Sequence, residues 1–482
     1  MTTNDLLAIL PLLVPAAAVI LLMLFIAVLR NHFLTFTATQ VSLFIALIIL
    51  FVGYQQQSRQ ALPLLIMDGY AYFYIGLIYA STMVVCALSY GYLRHKKVVR
   101  EEYYLFLLTT ALGCAVLVAG NHFALFFVGI ELLSLSLYVL ITYAGTRLNV
   151  EAGIKYFVMT AVSVAFLLFG TSLIYAACGS MKFPAVPSDI HHSTMNDLLY
   201  LTGTVMFLVG IGFKLALVPF HYWIADVFEG ASAPVAGFLG TVSKGAIFAV
   251  LIRYFYGIDI LSNTSLYFIF AAIAIASMFF GNITALLQTK INRILGYSSI
   301  AHFGYLLVTL IAGSSIAITA ASFYLTSYFI TILLAFGIIT ILSKDENNTD
   351  ILEDYRGLAF IHPIYAALLT IAMLSLAGIP LTAGFIAKFY LIAAGAKIKL
   401  WSLLIVLIVN SVIGLYYYLK VIILLFTKLP SENIFKNESD SFGPSFSVFG
   451  VSSLALLLFF LVYLGINPGQ FLIFIDKLVN NI

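Results

Sequence analysis

From residue 7 to residue 466 the chain is a succession of apolar runs, most about 20 residues long, parted by short polar turns. A helix needs about 20 apolar residues to cross the hydrocarbon of a bilayer. Within that hydrocarbon every backbone N–H and C=O must be satisfied inside the protein, so runs of this length can only be helices. The runs predict fourteen membrane helices, at about 7–29, 33–53, 70–93, 104–119, 122–144, 154–177, 199–228, 235–256, 264–287, 294–312, 317–342, 361–395, 401–426 and 446–466. Composition agrees: 63% of the 482 residues are hydrophobic and 9% are charged, against about 25% charged in a soluble domain. The fold class is an all-α polytopic membrane protein. No connection is long enough to form a soluble domain.

The same composition excludes several kinds of function. The net charge of +3 is spread along the loops, so no nucleic-acid surface is expected. Cys86, Cys114 and Cys178 are isolated and offer no metal or iron–sulfur spacing. No GxGxxG after a strand and no Walker loop occurs, so no nucleotide or flavin site is visible. The opening residues MTTNDLLAILPLLVP place no basic residue before the apolar run, and the first span is expected to be retained.

Loop lysines and arginines set the orientation. One side receives twelve: Arg30, Arg94, Lys96, Lys97, Arg100, Arg147, Lys290, Arg293, Lys344, Arg356, Lys428 and Lys436. The other receives six: Arg59, Lys182, Arg253, Lys397, Lys399 and Lys477. The first set is expected in the cytoplasm, which puts both termini outside it.

Two of the runs cannot be ordinary spans. The stretch GIGFKLALVPFHYWIADVFEGA, residues 210–231, carries Lys214, Pro219, His221, Asp226 and Glu229. A lysine at the bilayer centre costs about 2.5–3.5 kcal/mol on insertion scales, and a proline inside a helix costs about 3 kcal/mol. As one helix, residues 199–228 would be about 45 Å long, with Lys214 about 22 Å from either end. Snorkelling does not cover that distance, so the expectation is a broken helix lining a wet cavity. The twelfth run repeats the arrangement, with Gly378, Pro380, Gly384 and then Lys388. Paired broken spans point to an internal repeat with a midplane site. Pro219 and Pro380 are 161 residues apart, which makes each repeat five helices and the second inverted. The expected division is residues 1–103 (three helices), 104–256 and 257–426 (the two repeats) and 427–482 (the last helix and tail).

Other ionisable groups lie at the same depth. Glu131 is about 15 Å into the fifth span, and Lys244 is near the middle of the eighth. Burial disfavours the charged form of an amine or carboxyl, and an opposite charge restores it. A lysine whose carboxylate partner approaches and retreats can therefore be loaded with a proton and stripped of it. His302, on the tenth span, could carry protons between the halves. A histidine simply hydrogen-bonded between helices is the plainer reading of His302, and a fixed structural ion pair that of Glu131. Lys155 follows Glu151 by four residues and fits an ion pair at the membrane edge. Lys420, about 9 Å from the end of its span, can snorkel.

The runs GFKLALVPFHYWIADVFEGA, YSSIAHFGYLL and AGIPLTAGFIAKFYL together resemble the antiporter-like membrane subunits of respiratory complex I, over essentially the whole chain. The resemblance implies fourteen helices, two inverted five-helix repeats and discontinuous seventh and twelfth helices, broken at Pro219 and Pro380. It also implies proton translocation coupled to electron transfer from NADH to quinone in other subunits. Carried over by motif, Glu131 and Lys214 form the family's Glu–Lys pair, Lys244 is the connecting lysine and Lys388 the exit-side lysine. His302 falls on the mid-membrane polar axis. No cofactor or metal is implied for this chain, since NADH, FMN, iron–sulfur clusters and quinone belong to partner subunits. The implied partners are neighbouring antiporter-like and small membrane subunits, lipid, protons and water, in a bacterial inner membrane. The short tail departs from the relative with a long lateral helix, and a third relative tends to carry glutamate at the Lys388 position. Two alternatives stay open: a subunit of a multi-subunit Na+/H+ antiporter, and a non-pumping structural membrane subunit. The mid-membrane charges weigh against the second.

Overall fold

The polar turns do cut the chain into helices, and among the described residues thirteen helices are long and apolar enough to cross a membrane. The structure, a computed structural model, describes residues 3–53, 59–62, 64–94, 100–183, 194–256, 258, 260–261, 263–343, 351–428 and 447–479. The chain opens with α1 (Thr3–Val28), α2 (His32–Gly53) and α3 (Gly69–Arg94). Next are α4 (Glu101–Ala119), α5 (Phe123–Thr142) and α6 (Arg147–Cys178). The seventh expected span is two pieces, α7 (Thr194–Leu215) and α8 (Tyr222–Gly230). The eighth is α9 (Ala233–Phe238) and α10 (Lys244–Phe255), joined by a π-helical turn, Leu239–Ser243. Then follow α11 (Thr264–Leu286), α12 (Ile291–Ala312) and α13 (Ser315–Leu342). After the single turn α14 (Leu358–Ile361), the twelfth span is divided into α15 (Pro363–Ala377) and α16 (Ala383–Lys397). Each half has 15 residues, too few to cross alone. This broken span is the fourteenth helix the sequence predicts. The chain ends with α17 (Trp401–Phe426), α18 (Val448–Ile466) and α19 (Gly469–Val479).

Counting from α4, the fourth span of each five-helix unit is the broken one. In the first unit α4 packs along α5, as α11 packs along α12 in the second. The interior is made by three spans. Every residue from Ala233 to Phe255 is buried, and α12 and α13 are buried almost throughout. Around them α1, α2, α6, α17 and α18 turn large apolar side chains outward, among them Leu21, Phe51, Phe169, Ile405 and Phe459. Such a surface suits lipid or an apolar partner helix.

The structure adds features that the helical pattern does not carry. Strands β1 (Arg59–Leu62) and β2 (Leu65–Met67) form an antiparallel hairpin after α2. Leu65 bridges Gly120 in the tight α4–α5 turn, and His122 bridges Lys182 beyond α6. Three connections are thus laced by backbone hydrogen bonds at one end, the end to which the charge count assigns Arg59 and Lys182. Helix α6 starts about seven residues before the expected boundary, because Thr146 and Asn149 form a capping box.

Arg253 corrects the loop count. It lies in the last turn of α10, 5% exposed, and makes a two-pronged ion pair with Asp68 at 2.7 and 2.9 Å. Asp68 caps α3 through the N–H of Ala71 at 2.7 Å, so the pair pins the hairpin exit to the buried eighth span. A charge held this way is part of the packing and reports nothing on loop orientation. Lys96, Lys97, Lys344 and Lys436 lie outside the described residues. Lys155 pairs with Glu151 at 2.9 Å, as its spacing predicts.

Candidate functional site

The first helix break places Lys214. After Leu215 the chain leaves the helix through Ala216, whose φ is 56°, and the Val218–Pro219 peptide is cis. Backbone groups freed by the break find partners: Trp223 Nε1 donates to the Phe213 carbonyl at 3.0 Å, and the Val218 N–H to Ser277 Oγ at 3.0 Å. Lys214 sits in the last turn of α7, 5% exposed. Its Nζ donates to Ser134 Oγ on α5 at 2.6 Å. Glu131 lies one turn before Ser134 and is half-buried. No ion pair within 4 Å joins Glu131 to Lys214 among the described residues, so the expected pair is not a contact pair. The amine meets α5 one turn further along, at Ser134.

A small cavity connects Lys214 to the next lysine. Tyr156, Thr160, Ser163, Lys214, Ser243 and Lys244 are among its lining residues, and it is large enough for about one ordered water. The π-helical turn Leu239–Ser243 ends just before Lys244, the first residue of α10. Lys244, 1% exposed, donates to Ser299 Oγ on α12 at 2.9 Å, with its Nζ 5.0 Å from the Phe303 ring centroid.

One turn beyond Ser299, His302 continues the line. Its Nδ1 hydrogen-bonds Tyr324 Oη at 2.6 Å, and its Nε2 bonds Tyr418 Oη at 3.1 Å. Tyr418 packs against Tyr417, with ring centroids 4.3 Å apart and the rings tilted by 53°. Tyr417 donates to Asn282 Oδ1 at 3.0 Å, and Asn282 donates to Tyr305 Oη at 3.0 Å.

The Tyr305 ring faces Lys388, whose Nζ is 5.7 Å from its centroid. Here the second break differs from the first. Gly378 turns the chain out of α15 with φ 82°, a conformation glycine adopts freely. Any side chain at Gly384 would collide with the Ser375 carbonyl, and the Gly384 N–H bonds Ser375 Oγ at 3.2 Å. Lys388 follows on α16 and folds back. Its Nζ donates to the Leu376 and Ala377 carbonyls at 3.0 and 2.9 Å and contacts Ser411 Oγ at 3.0 Å. It therefore caps the negative end of the half-helix α15.

Four of the five ionisable residues singled out in the sequence, Lys214, Lys244, His302 and Lys388, thus join one buried polar line across both repeats. Glu131 flanks its start. Sequence reasoning missed the groups between them: Ser134, Ser299, Tyr324, Tyr418 and Ser411. A faint signal exists in the i, i+3 polar spacing of Glu131 with Ser134 and of Ser299 with His302. Asp226 and Glu229 have a different place. At one end of the bundle Asp226 pairs with Lys155 and Arg293, and Glu229 with Lys290 and Arg293, at 2.6–2.8 Å. Asn149 also donates to the Gly230 carbonyl at 2.5 Å. These contacts clamp α8 between α6 and α12.

Comparison with known proteins agrees with this architecture. Residues 120–414 match the family model for NADH:quinone oxidoreductase/Mrp antiporter transmembrane proteins, a range that holds all five residues. The chain is 44% identical to an NADH-quinone oxidoreductase subunit N of Ectopseudomonas mendocina, covering 100% of this chain and 97% of the relative. It is similar to a chain of respiratory complex I from Thermus thermophilus, with a TM-score of 0.82, 30% identity, and 96% and 98% coverage. A chain of the Mrp complex from Dietzia has a TM-score of 0.86 at 20% identity, with 100% and 98% coverage, and so shares the fold.

Proposed function

The chain belongs to the NADH:quinone oxidoreductase/Mrp antiporter transmembrane family, among the subunit N proteins of NADH-quinone oxidoreductase, and we propose that it moves protons through the polar line from Lys214 to Lys388. The observation that carries this reading is the line itself: three buried lysines and a histidine, each hydrogen-bonded to a hydroxyl of a neighbouring helix and set in succession by one cavity and by ring contacts. The geometry divides the work. Lys214 and Lys244 face one cavity, so a single water can pass a proton between them. Ser299 hands on from Lys244 towards His302, whose two ring nitrogens face opposite tyrosines. Lys388 is the last acceptor, and its ammonium is stabilised by the carbonyl end of α15. Glu131 supplies a field that favours charge on Lys214.

In this reading the electron transfer from NADH to quinone occurs in partner subunits, which hold the FMN and iron–sulfur clusters. The chain contributes proton translocation to the assembled complex, in a bacterial inner membrane, with both termini in the periplasm. The Mrp likeness reflects a shared fold, whereas the full-length 44% identity lies with subunit N.

The direct test is a double-mutant cycle of Glu131→Gln and Lys214→Met, read as proton pumping in vesicles, with the tagged chain copurifying with NADH dehydrogenase activity. Removing either charge should slow pumping, and removing both should cost less than the two losses combined, since each single variant alters the field at the other. Strictly additive losses would mean that the two residues act independently.

Sidedness has its own measurement. Single cysteines placed near each terminus should react with an impermeant maleimide in intact spheroplasts. Reaction only from the cytoplasmic face of inverted vesicles would reverse the proposed orientation.

A further inference from the structure

The Tyr328 hydroxyl is buried within the central polar line and makes no hydrogen bond within 3.5 Å among the described residues, with the Ser299 side chain as its polar neighbour. A buried hydroxyl left without a partner is destabilising, and phenylalanine would fill the same ring volume without that penalty. Packing therefore does not explain the oxygen. Its position does offer an explanation. Tyr328 and Tyr324 lie one turn apart on α13 and face the same histidine: Tyr324 Oη bonds His302 Nδ1 at 2.6 Å, and the Tyr328 ring centroid is 5.2 Å from that of His302. The Tyr328 ring also meets Phe303 edge-on at 5.8 Å, and Phe303 is the ring that Lys244 Nζ approaches. Tyr328 thus stands where two segments of the line come together, Lys244–Ser299 on one side and Tyr324–His302–Tyr418 on the other.

We propose that Tyr328 is the hydroxyl relay between Lys244 and His302, joining the polar groups of the first repeat to those of the second. The inference rests on the reading of Lys244 as a proton carrier. In the forward step the Lys244 ammonium gives a proton to Ser299 Oγ, and Ser299 releases its own proton towards Tyr328 Oη. The Ser299 hydroxyl points at the Gly296 carbonyl at 2.7 Å and must rotate to do so. Tyr328 accepts on a lone pair and releases its phenolic proton towards Tyr324 Oη, which passes its own to His302 Nδ1. Single waters carry the proton wherever two oxygens stand too far apart. At the end each hydroxyl again holds one proton, Lys244 is a neutral amine and His302 is an imidazolium.

The test compares three variants in the intact complex: Tyr328→Phe, Lys244→Ala and Tyr79→Phe. Tyr79 is a buried tyrosine away from the line, and its hydroxyl donates to the Pro11 carbonyl at 3.0 Å. Tyr328→Phe should assemble with unchanged or higher thermal stability. Its proton pumping per assembled complex should fall roughly tenfold, with a larger solvent deuterium isotope effect on the residual turnover. Tyr79→Phe should show the opposite pattern, losing stability while each assembled complex turns over normally. Three outcomes overturn the relay: normal pumping in Tyr328→Phe while Lys244→Ala is inactive, slowed pumping with an unchanged isotope effect, or failure of Tyr328→Phe to assemble. Normal pumping in Lys244→Ala defeats the underlying reading of Lys244 instead, so the two failures are distinguishable.

Discussion

Replacing Lys244 with arginine should leave the complex assembled and reduce its proton pumping by more than tenfold, equivalent to a barrier raised by about 1.4 kcal/mol or more. Lys244 is 1% exposed and is held by a hydroxyl, Ser299 Oγ, and by the face of Phe303. An amine in such a setting can exist with or without its proton, which a relay requires. Arginine preserves the charge and can still reach Ser299, but guanidinium does not deprotonate in proteins. The line would then be filled at its centre by a proton that never leaves. A purely structural lysine predicts the reverse: Lys244→Arg would pump nearly normally, and Lys244→Ala would fail to assemble because Ser299 loses its partner. Native gels give assembly, and fluorescence quenching in inverted vesicles gives pumping. An assembled Lys244→Arg complex with full pumping would defeat the relay assignment.

The largest effect on stability is expected at Arg253. Substituting methionine for Arg253 alone leaves the Asp68 carboxylate buried and unpaired, 3% exposed, for a loss of about 3–5 kcal/mol. That is a large share of the roughly 5–15 kcal/mol that holds a typical protein folded. The double variant Asp68→Asn/Arg253→Met should recover most of the loss. It removes both charges, while the asparagine oxygen can still accept the Ala71 N–H at the start of α3. Thermal unfolding of the detergent-solubilised complex measures both. If the double variant is no more stable than Arg253→Met, the pair's contribution lies in its packing, including the Arg253 stacking over Tyr70 at 5.0 Å, and not in its charge.

Much of the architecture was legible because a bilayer allows few choices. Apolar runs of spanning length must be helices, so the thirteen long helices and the broken twelfth fall close to their expected positions. Both helix breaks were legible as well, since Pro219 with Lys214 and Pro380 with Gly378 and Lys388 are intolerable in a continuous membrane helix. Glu131, Lys244 and His302 announced themselves in the same way, as ionisable groups in apolar surroundings.

The partners of those groups were not legible. Ser134, Ser299 and Ser411 look like any serine in a membrane helix, and the sequence separations from their lysines are 80, 55 and 23 residues. The pairing of Lys214 with Ser134 in place of Glu131 depends on where α7 crosses α5, a matter of one helical turn that composition does not encode. Arg253 looks like a loop charge in the sequence for the same reason, its partner lying 185 residues away. That charge is buried, and at what depth, follows from the order of residues alone, because the membrane penalises each charged residue individually. Which hydroxyl, carbonyl or carboxylate receives each charge depends on the packed fold, because a hydrogen bond is fixed by distances of a few tenths of an ångström between helices remote in the chain.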